Sequence, residues 1–226
     1  MFVIESIAAD CVILLHGLAR TDSSMSKLSE ALIESNYHTV NASYPSRKKQ
    51  IEELAREVIP SALEQCPNAS QINFVTHSLG GILVRQYLSE STIDNLKHVI
   101  MLGPPNQGSE VVDKMKNFPG FKLLNGPAGL QLGTGELSVP NSLGPAEFSL
   151  GIIAGTRSIN LILSRMLPSK DDGKVTVERT KLEGMEDHIT LPVTHTFMMK
   201  NKKVIKQVKH FLQHGEFFRD DSVEGL

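Results

Sequence analysis

The sequence predicts an α/β fold, with a mostly parallel central sheet of about six strands and helices on both faces. Short apolar runs recur along the chain: CVILLHG from Cys11, HTVNASYP from His38, INFVTHS from Ile72, HVIMLGPP from His98, LGIIAGT from Leu150 and HITLPVTH from His188. Stretches of helical period separate them, and this alternation marks parallel strands joined by crossover helices. Each run ends in Gly, Pro, Ser or His. The residues just past each run therefore sit at the carboxyl ends of strands, where open parallel sheets carry their sites.

The intervening helices follow in order. Ser23 or Ser24 is placed to cap a helix bearing Leu28, Leu32 and Ile33, and Ile51, Leu54, Ala55, Val58 and Ile59 form a second apolar stripe. A third helix follows Ser78, with Ile82, Leu83 and Leu88 inward. The last starts near Asn201, where Val204, Val208, Phe211 and Leu212 share one face and Lys202, Lys206 and Lys209 point outward. Between residues 105 and 149 the periodicity lapses into a Gly-, Pro- and Leu-rich insert with a short helix expected over Glu110 to Lys116. A lid or acyl-pocket segment and a plain surface excursion fit this insert equally.

A chain of 226 residues, 40% hydrophobic and 21% charged, suits one domain over residues 1–226 with a core of its own. A formal charge of -2 and a pI near 6.4 leave no broad positive field, so nucleic acid is not an expected partner. No stretch approaches the ~20 apolar residues of a membrane span. The lysines of the last helix read most simply as a solvated face, with transient contact at a lipid interface as the sharper alternative. The N-terminal MFVIESIAADC lacks the basic and extended apolar parts of a secretory leader, so a cytoplasmic setting is expected. An exported protein already stripped of its leader would read the same. Cys11 and Cys66 show no CxxC spacing or Cys/His clustering, so no metal or cofactor is expected. Cys11 opens an apolar run and is expected in the core as a small hydrophobe, with a Cys11–Cys66 disulfide as the less favoured alternative.

The segment QINFVTHSLGGILVRQYL reads as strand, sharp turn and helix with Ser78 at the apex. A strained turn lifts a serine hydroxyl clear of the sheet, and small residues on either side let strand and helix approach closely. Gly80 and Gly81 meet that need downstream, whereas Thr76 stands where glycine is usual and calls for a wider crossing. Ser78 as a mere helix cap is the plainer alternative. A serine nucleophile needs a base oriented by a carboxylate, in the chain order Ser, Asp or Glu, His. His195 lies beyond the last strand and fits the base, while His188 is placed ahead of that strand, at the opposite edge. In SKDDGKVTVE, Asp172 is favoured over Asp171 because Gly173 frees the turn to aim it inward, and Asp187 faces the wrong edge. A solvated turn or loose cation site is the bland reading of the pair. Acyl transfer also needs oxyanion donors worth about 3 kcal/mol each. The N–H of Leu79 fits one, and the His16-Gly17 turn after the first run aims the N–H of Leu18 as the other.

LLHGL with Arg20, THSLGG, LGPPNQGS, DDGKVTVE and PVTHTFMM together resemble the small bacterial lipases and esterases of the α/β-hydrolase superfamily, in its minimal form. The resemblance spans Val12 to the last helix. It implies Ser78, Asp172 and His195 as a catalytic triad, Leu18 and Leu79 as the oxyanion hole, and a substrate-contacting role for His16, Gly17, Asn106 and Gln107. The expected substrate is a lipid-like or other hydrophobic carboxylic ester. A thioesterase, amidase or acyltransferase would use the same groups, and a non-catalytic binder could keep the scaffold.

Overall fold

The structure, a computed structural model, describes residues 9–158, 167 and 169–219. β1 (Cys11–Leu15), β2 (His38–Ala42), β3 (Ile72–His77), β4 (Leu96–Leu102), β5 (Leu150–Gly155) and β6 (Asp187–Leu191) form a sheet of order β2-β1-β3-β4-β5-β6, parallel throughout. α1 (Ser26–Ile33), α2 (Ile51–Leu63) and α3 (Leu79–Leu88) connect the first four strands. α4 (Glu110–Met115), α5 (Phe121–Leu130) and α6 (Val139–Ser142) lie between β4 and β5. α7 (Val177–Thr180) precedes β6, and α8 (Lys202–His214) follows it.

Side chains alternate across the strands, so the sheet carries two apolar layers. Cys11, Ile13, Leu15 and Phe74 pack with α2 and α3 on one face, and Val12, Leu14 and Val75 pack with α1 and α8 on the other. The α8 amide ends are closed at both termini, which fixes its length. Asn201 Oδ1 accepts from the N–H of Lys203 and Val204, and Gly215 ends the helix at φ +77°. The chain moves from β1 to β2 on one side and then crosses to β3 on the other. That reversal opens a crevice above the carboxyl ends of β1 and β3. Among the described residues no helix is long and apolar enough to cross a membrane.

Four expectations change. The first helix begins at Ser26 without a side-chain cap, because Ser24 Oγ turns back to the Thr21 carbonyl; Ile33 is exposed and Met25 joins Leu28 and Leu32 inside. His188 lies within β6, at its amino-terminal end, where Nε2–H donates to Thr180 Oγ1. The insert is an ordered layer: Val112, Ala128, Leu132 and Val139 enter the same core as α2 and α3. Buried Arg85 of α3 ties it down by donating to the carbonyls of Asn106, Pro140 and Gly144. Finally, Cys11 and Cys66 are joined in a disulfide, with Cα atoms 5.9 Å apart. The return from α2 to β3 lays Cys66 under the start of β1, a proximity that no spacing rule contains.

A closed loop of this length restricts the unfolded chain by about 4 kcal/mol on the chain-entropy estimate. Cys66→Ser is therefore expected to lower the melting temperature by roughly 10 °C, at ~2–4 °C per kcal/mol for a chain of this size. Thiol titration of the denatured, unreduced protein should find no free thiol. Two titratable thiols, with an unshifted melt, would contradict the bridge.

Candidate active site

Every site residue comes from the carboxyl end of a strand. After β3, Ser78 adopts φ +53° and ψ −116°, a left-handed-side conformation that costs a non-glycine residue strain and holds its side chain off the sheet. The turn exists because α3 can start almost on top of β1. A Cβ at Gly80 would stand 2.6 Å from the Leu15 carbonyl oxygen, and one at Gly81 2.9 Å from Met101 Sδ and 3.2 Å from Thr76 Oγ1. Thr76 is thus accommodated by the bareness of Gly81, and its hydroxyl reaches towards the Ile100 carbonyl.

His195 follows β6, and Asp172 stands in the turn beyond β5. His195 Nδ1–H donates to Asp172 Oδ2 at 2.7 Å, with both residues buried. The other carboxylate oxygen, Oδ1, accepts from the N–H of Lys174 and of Val175, and the Asp172 carbonyl accepts from the His195 N–H. The ring is therefore fixed in tautomer and plane, leaving Nε2 free of any protein partner among the described residues. Two glycines clear room for the pair: a Cβ on Gly103 would meet Asp172 Oδ2 at 3.0 Å and His195 Nδ1 at 3.1 Å, and one on Gly155 would meet Asp172 Cβ at 2.7 Å. Asp171 points elsewhere, accepting the Gly173 N–H and stiffening the turn. Asp187 binds Arg219 at the far edge.

Ser78 and His195 line one cavity of ≈ 280 Å³, together with Leu18. Ser78 Oγ makes no hydrogen bond to the protein among the described residues; such contacts commonly tighten only when substrate is bound. The insert supplies apolar walls, including Val112, Met115, Phe121 and Leu132. Leu79 is the first residue of α3, so its N–H is one of the unpaired amides of the helix start, and the Leu18 N–H finds no acceptor among the described residues. Gly17 brings the Leu18 turn against the elbow, since a Cβ there would stand 2.6 Å from His77 Nδ1 and 3.3 Å from Ser78 Cβ.

The four residues expected to touch substrate stand outside the cavity wall, Gly17 because its backbone packs against His77 and Ser78. His16 is buried, its ring stacked on Tyr44 at 4.0 Å. Its Nδ1–H donates to the Gly17 carbonyl, Nε2 accepts from the Tyr44 N–H, and the Tyr44 hydroxyl donates to the His16 carbonyl. Burial keeps the His16 pKa low, so the ring acts as a neutral brace for the Leu18 turn. Asn106 donates to the Thr180 carbonyl and Gln107 to that of Lys181, which clamps the post-β4 loop onto α7. Their neighbours Pro105 and Ser109 face the cavity instead.

One participant goes unnoticed in the sequence because it looks like core. His77 is buried in β3, donates from Nε2–H to the His195 carbonyl at 2.9 Å, and has its ring centroid 4.8 Å from that of His195. Burial, then the neighbouring His195 ring and the cations Lys174 and Arg20, hold its pKa well below the usual histidine value. Its Nδ1 is an unprotonated acceptor without a partner. The only sequence signal is its place beside Ser78.

The six-stranded parallel sheet and the helices that flank it form an α/β-hydrolase fold. Residues 11–138 match the family model described as palmitoyl protein thioesterase, and the chain belongs to that family. No curated protein sequence matches it. Among solved structures, the chain is similar to a lipase from Bacillus licheniformis in mature form, at 18% identity with a TM-score of 0.68 over 92% of each chain. It also resembles the phospholipase PlaB from Legionella pneumophila, at 21% identity and TM-score 0.61 over 77% of this chain and 45% of that one. A metagenomic carboxyl esterase matches at 17% identity and TM-score 0.62, over 84% of this chain and 65% of that one.

Gly103 has φ +55°, where a Cβ costs ~1–2 kcal/mol, and it abuts the His195–Asp172 pair. Gly103→Ala is expected to lower the melting temperature by several degrees and to shift the low-field proton resonance of the His195 ring as the Asp172 bond is displaced. An unchanged melt and resonance would contradict the packing described.

Proposed function

We propose that the protein hydrolyses carboxylic esters with hydrophobic acyl chains through an acyl-enzyme on Ser78. The observation that carries this reading is the buried His195–Asp172 hydrogen bond facing a strained Ser78 in one apolar-walled cavity. His195 Nε2 takes the Ser78 proton as Oγ attacks the ester carbonyl, while Asp172 stabilises the imidazolium formed. The N–H groups of Leu18 and Leu79 receive the oxyanion. As the tetrahedral intermediate collapses, His195 passes the proton to the leaving alcohol, and the same groups then activate water to release the acid. The walls of the insert favour a hydrophobic acyl chain. Exposed Leu123 and Leu124 beside this mouth support transient contact with a lipid surface.

Thioester hydrolysis is the second reading, favoured by the family match. The same proton transfers apply, so substrate preference decides between the two. The disulfide supports an oxidising, extracytoplasmic setting in place of the cytoplasm, because such bridges are rare where thiols are kept reduced.

A fluorophosphonate probe is expected to label Ser78 and to label nothing in Ser78→Ala; a protein inert to the probe and to activated esters would sink the proposal. Asp172→Asn is expected to lower turnover by about 10³–10⁴, as loss of the orienting carboxylate does elsewhere, whereas Asp171→Asn retains an acceptor for Gly173 and costs far less. Equal losses would refute the assignment. Across p-nitrophenyl esters of rising chain length, kcat/KM should climb well past acetate, and a preference for the shortest esters would remove the lipid-like substrate. Matched acyl thioesters compared with oxygen esters of the same chain decide the second reading.

A further inference from the structure

The cavity is apolar where the insert closes it and cationic on one side only. Arg20, at the end of the turn after β1, and Lys174, in the turn that carries Asp172, both line it alongside Ser78 and His195. Neither side chain has a hydrogen bond or ion pair among the described residues, and two carboxylates close to the cavity are engaged elsewhere. Glu110 pairs with Arg179, and both oxygens of Asp172 are taken by the His195 ring and two backbone amides. Lys174 is exposed yet stands close to Arg20: desolvation and then the charge of Arg20 lower its pKa, while Asp172 acts in the opposite sense. Two like charges held beside an apolar cavity repel one another, the Asp172 carboxylate offsets only part of this at Lys174, and an anion placed between them would relieve both.

Resting on the ester-hydrolase reading of Ser78, we propose that Arg20 and Lys174 form an anion subsite for a phosphate on the alcohol side of the scissile ester, making acylated phosphoglycerides the substrate class. The acyl chain occupies the insert-walled end, near Val112, Met115 and Phe121, and the phosphate lies against the two cations. The hydrolysis itself is unchanged: water adds across the acyl–oxygen bond, and the phosphate-bearing alcohol leaves with the proton from His195.

The test compares dihexanoyl phosphatidylglycerol with dihexanoylglycerol, both as monomers so that no lipid surface contributes. The wild type should favour the phosphate-bearing ester by about tenfold or more in kcat/KM, a step typical of one or two charge-assisted hydrogen bonds. That ratio should fall towards one in Arg20→Gln/Lys174→Gln, chiefly through KM, and should shrink in wild type as salt is raised. A wild-type ratio near one, or a ratio unchanged in the variant, overturns the subsite. So does an equal loss on both esters, because the cations would then serve the oxyanion of any substrate. Millimolar competition by inorganic phosphate without a preference for the phosphate-bearing ester would identify free phosphate as the ligand and likewise overturn the proposal. Binding of a non-hydrolysable diether phosphoglycerol to Ser78→Ala, measured by calorimetry against the neutral dialkylglycerol, separates this inference from the chemistry. Preferential binding that the Arg20/Lys174 variant loses sustains the subsite even if no ester is turned over, and equal binding of the two ethers contradicts it.

Discussion

The hydrogen bond from His195 Nδ1 to Asp172 Oδ2 joins two loops that leave different strands, and it can form only if the sheet beneath is complete. Asp172 is buried, and a lone buried carboxylate is costly. It is tolerated because both oxygens are occupied, one by the imidazole and the other by two amides of its own turn. The surrounding sequence is subordinate to that contact. Gly103 and Gly155 leave the space it fills, His77 holds the His195 carbonyl from below, and Gly173 at φ +103° lets the turn close over it. Each of these positions lies at a strand's carboxyl end, so the parallel order of β3 to β6 sets the site's geometry before any side chain is considered.

A second constraint is the close approach of α3 to β1. Gly80 against the Leu15 carbonyl brings the Ser78 turn beside the Leu18 turn, so that Ser78 and Leu18 line one cavity. The His16–Tyr44 stack stiffens the Leu18 turn from behind, and the Arg85 contacts fix the insert that forms the opposite wall. Preorganisation of this kind is what the proposed acyl transfer requires, since it avoids reorganisation as charge develops. The cavity therefore divides into an apolar end built by the insert and a polar end built by the loops of the sheet.

What could be read directly from the residues was local and punctuated. The strands announce themselves as apolar runs, and β1, β2, β3 and β5 begin where those runs begin, while β4 and β6 start one or two residues earlier because polar edge residues join the ladder. Ser78, Asp172 and His195 stand out because each follows a strand in the required order. What stayed hidden depends on distance between parts remote in the chain. The Cys11–Cys66 bridge arises from the return path of α2, and the presence of Arg20 and Lys174 in one cavity wall arises from chain segments that follow β1 and β5. His16 misled for another reason. A histidine after an apolar run looks available to substrate, yet stacking on Tyr44 and bonds from both ring nitrogens turn it into the core.

An acyl chain transferred through Ser78 passes through a covalent intermediate, which is the most direct evidence for the proposed reaction. Rapid-quench intact-mass spectrometry during turnover of a slow ester, followed by peptide mapping, reads it without an inhibitor. A transient mass increase equal to the acyl group is expected, located on Ser78 and decaying as the free acid appears. Turnover with no adduct, or with the acyl group on another residue, would contradict it.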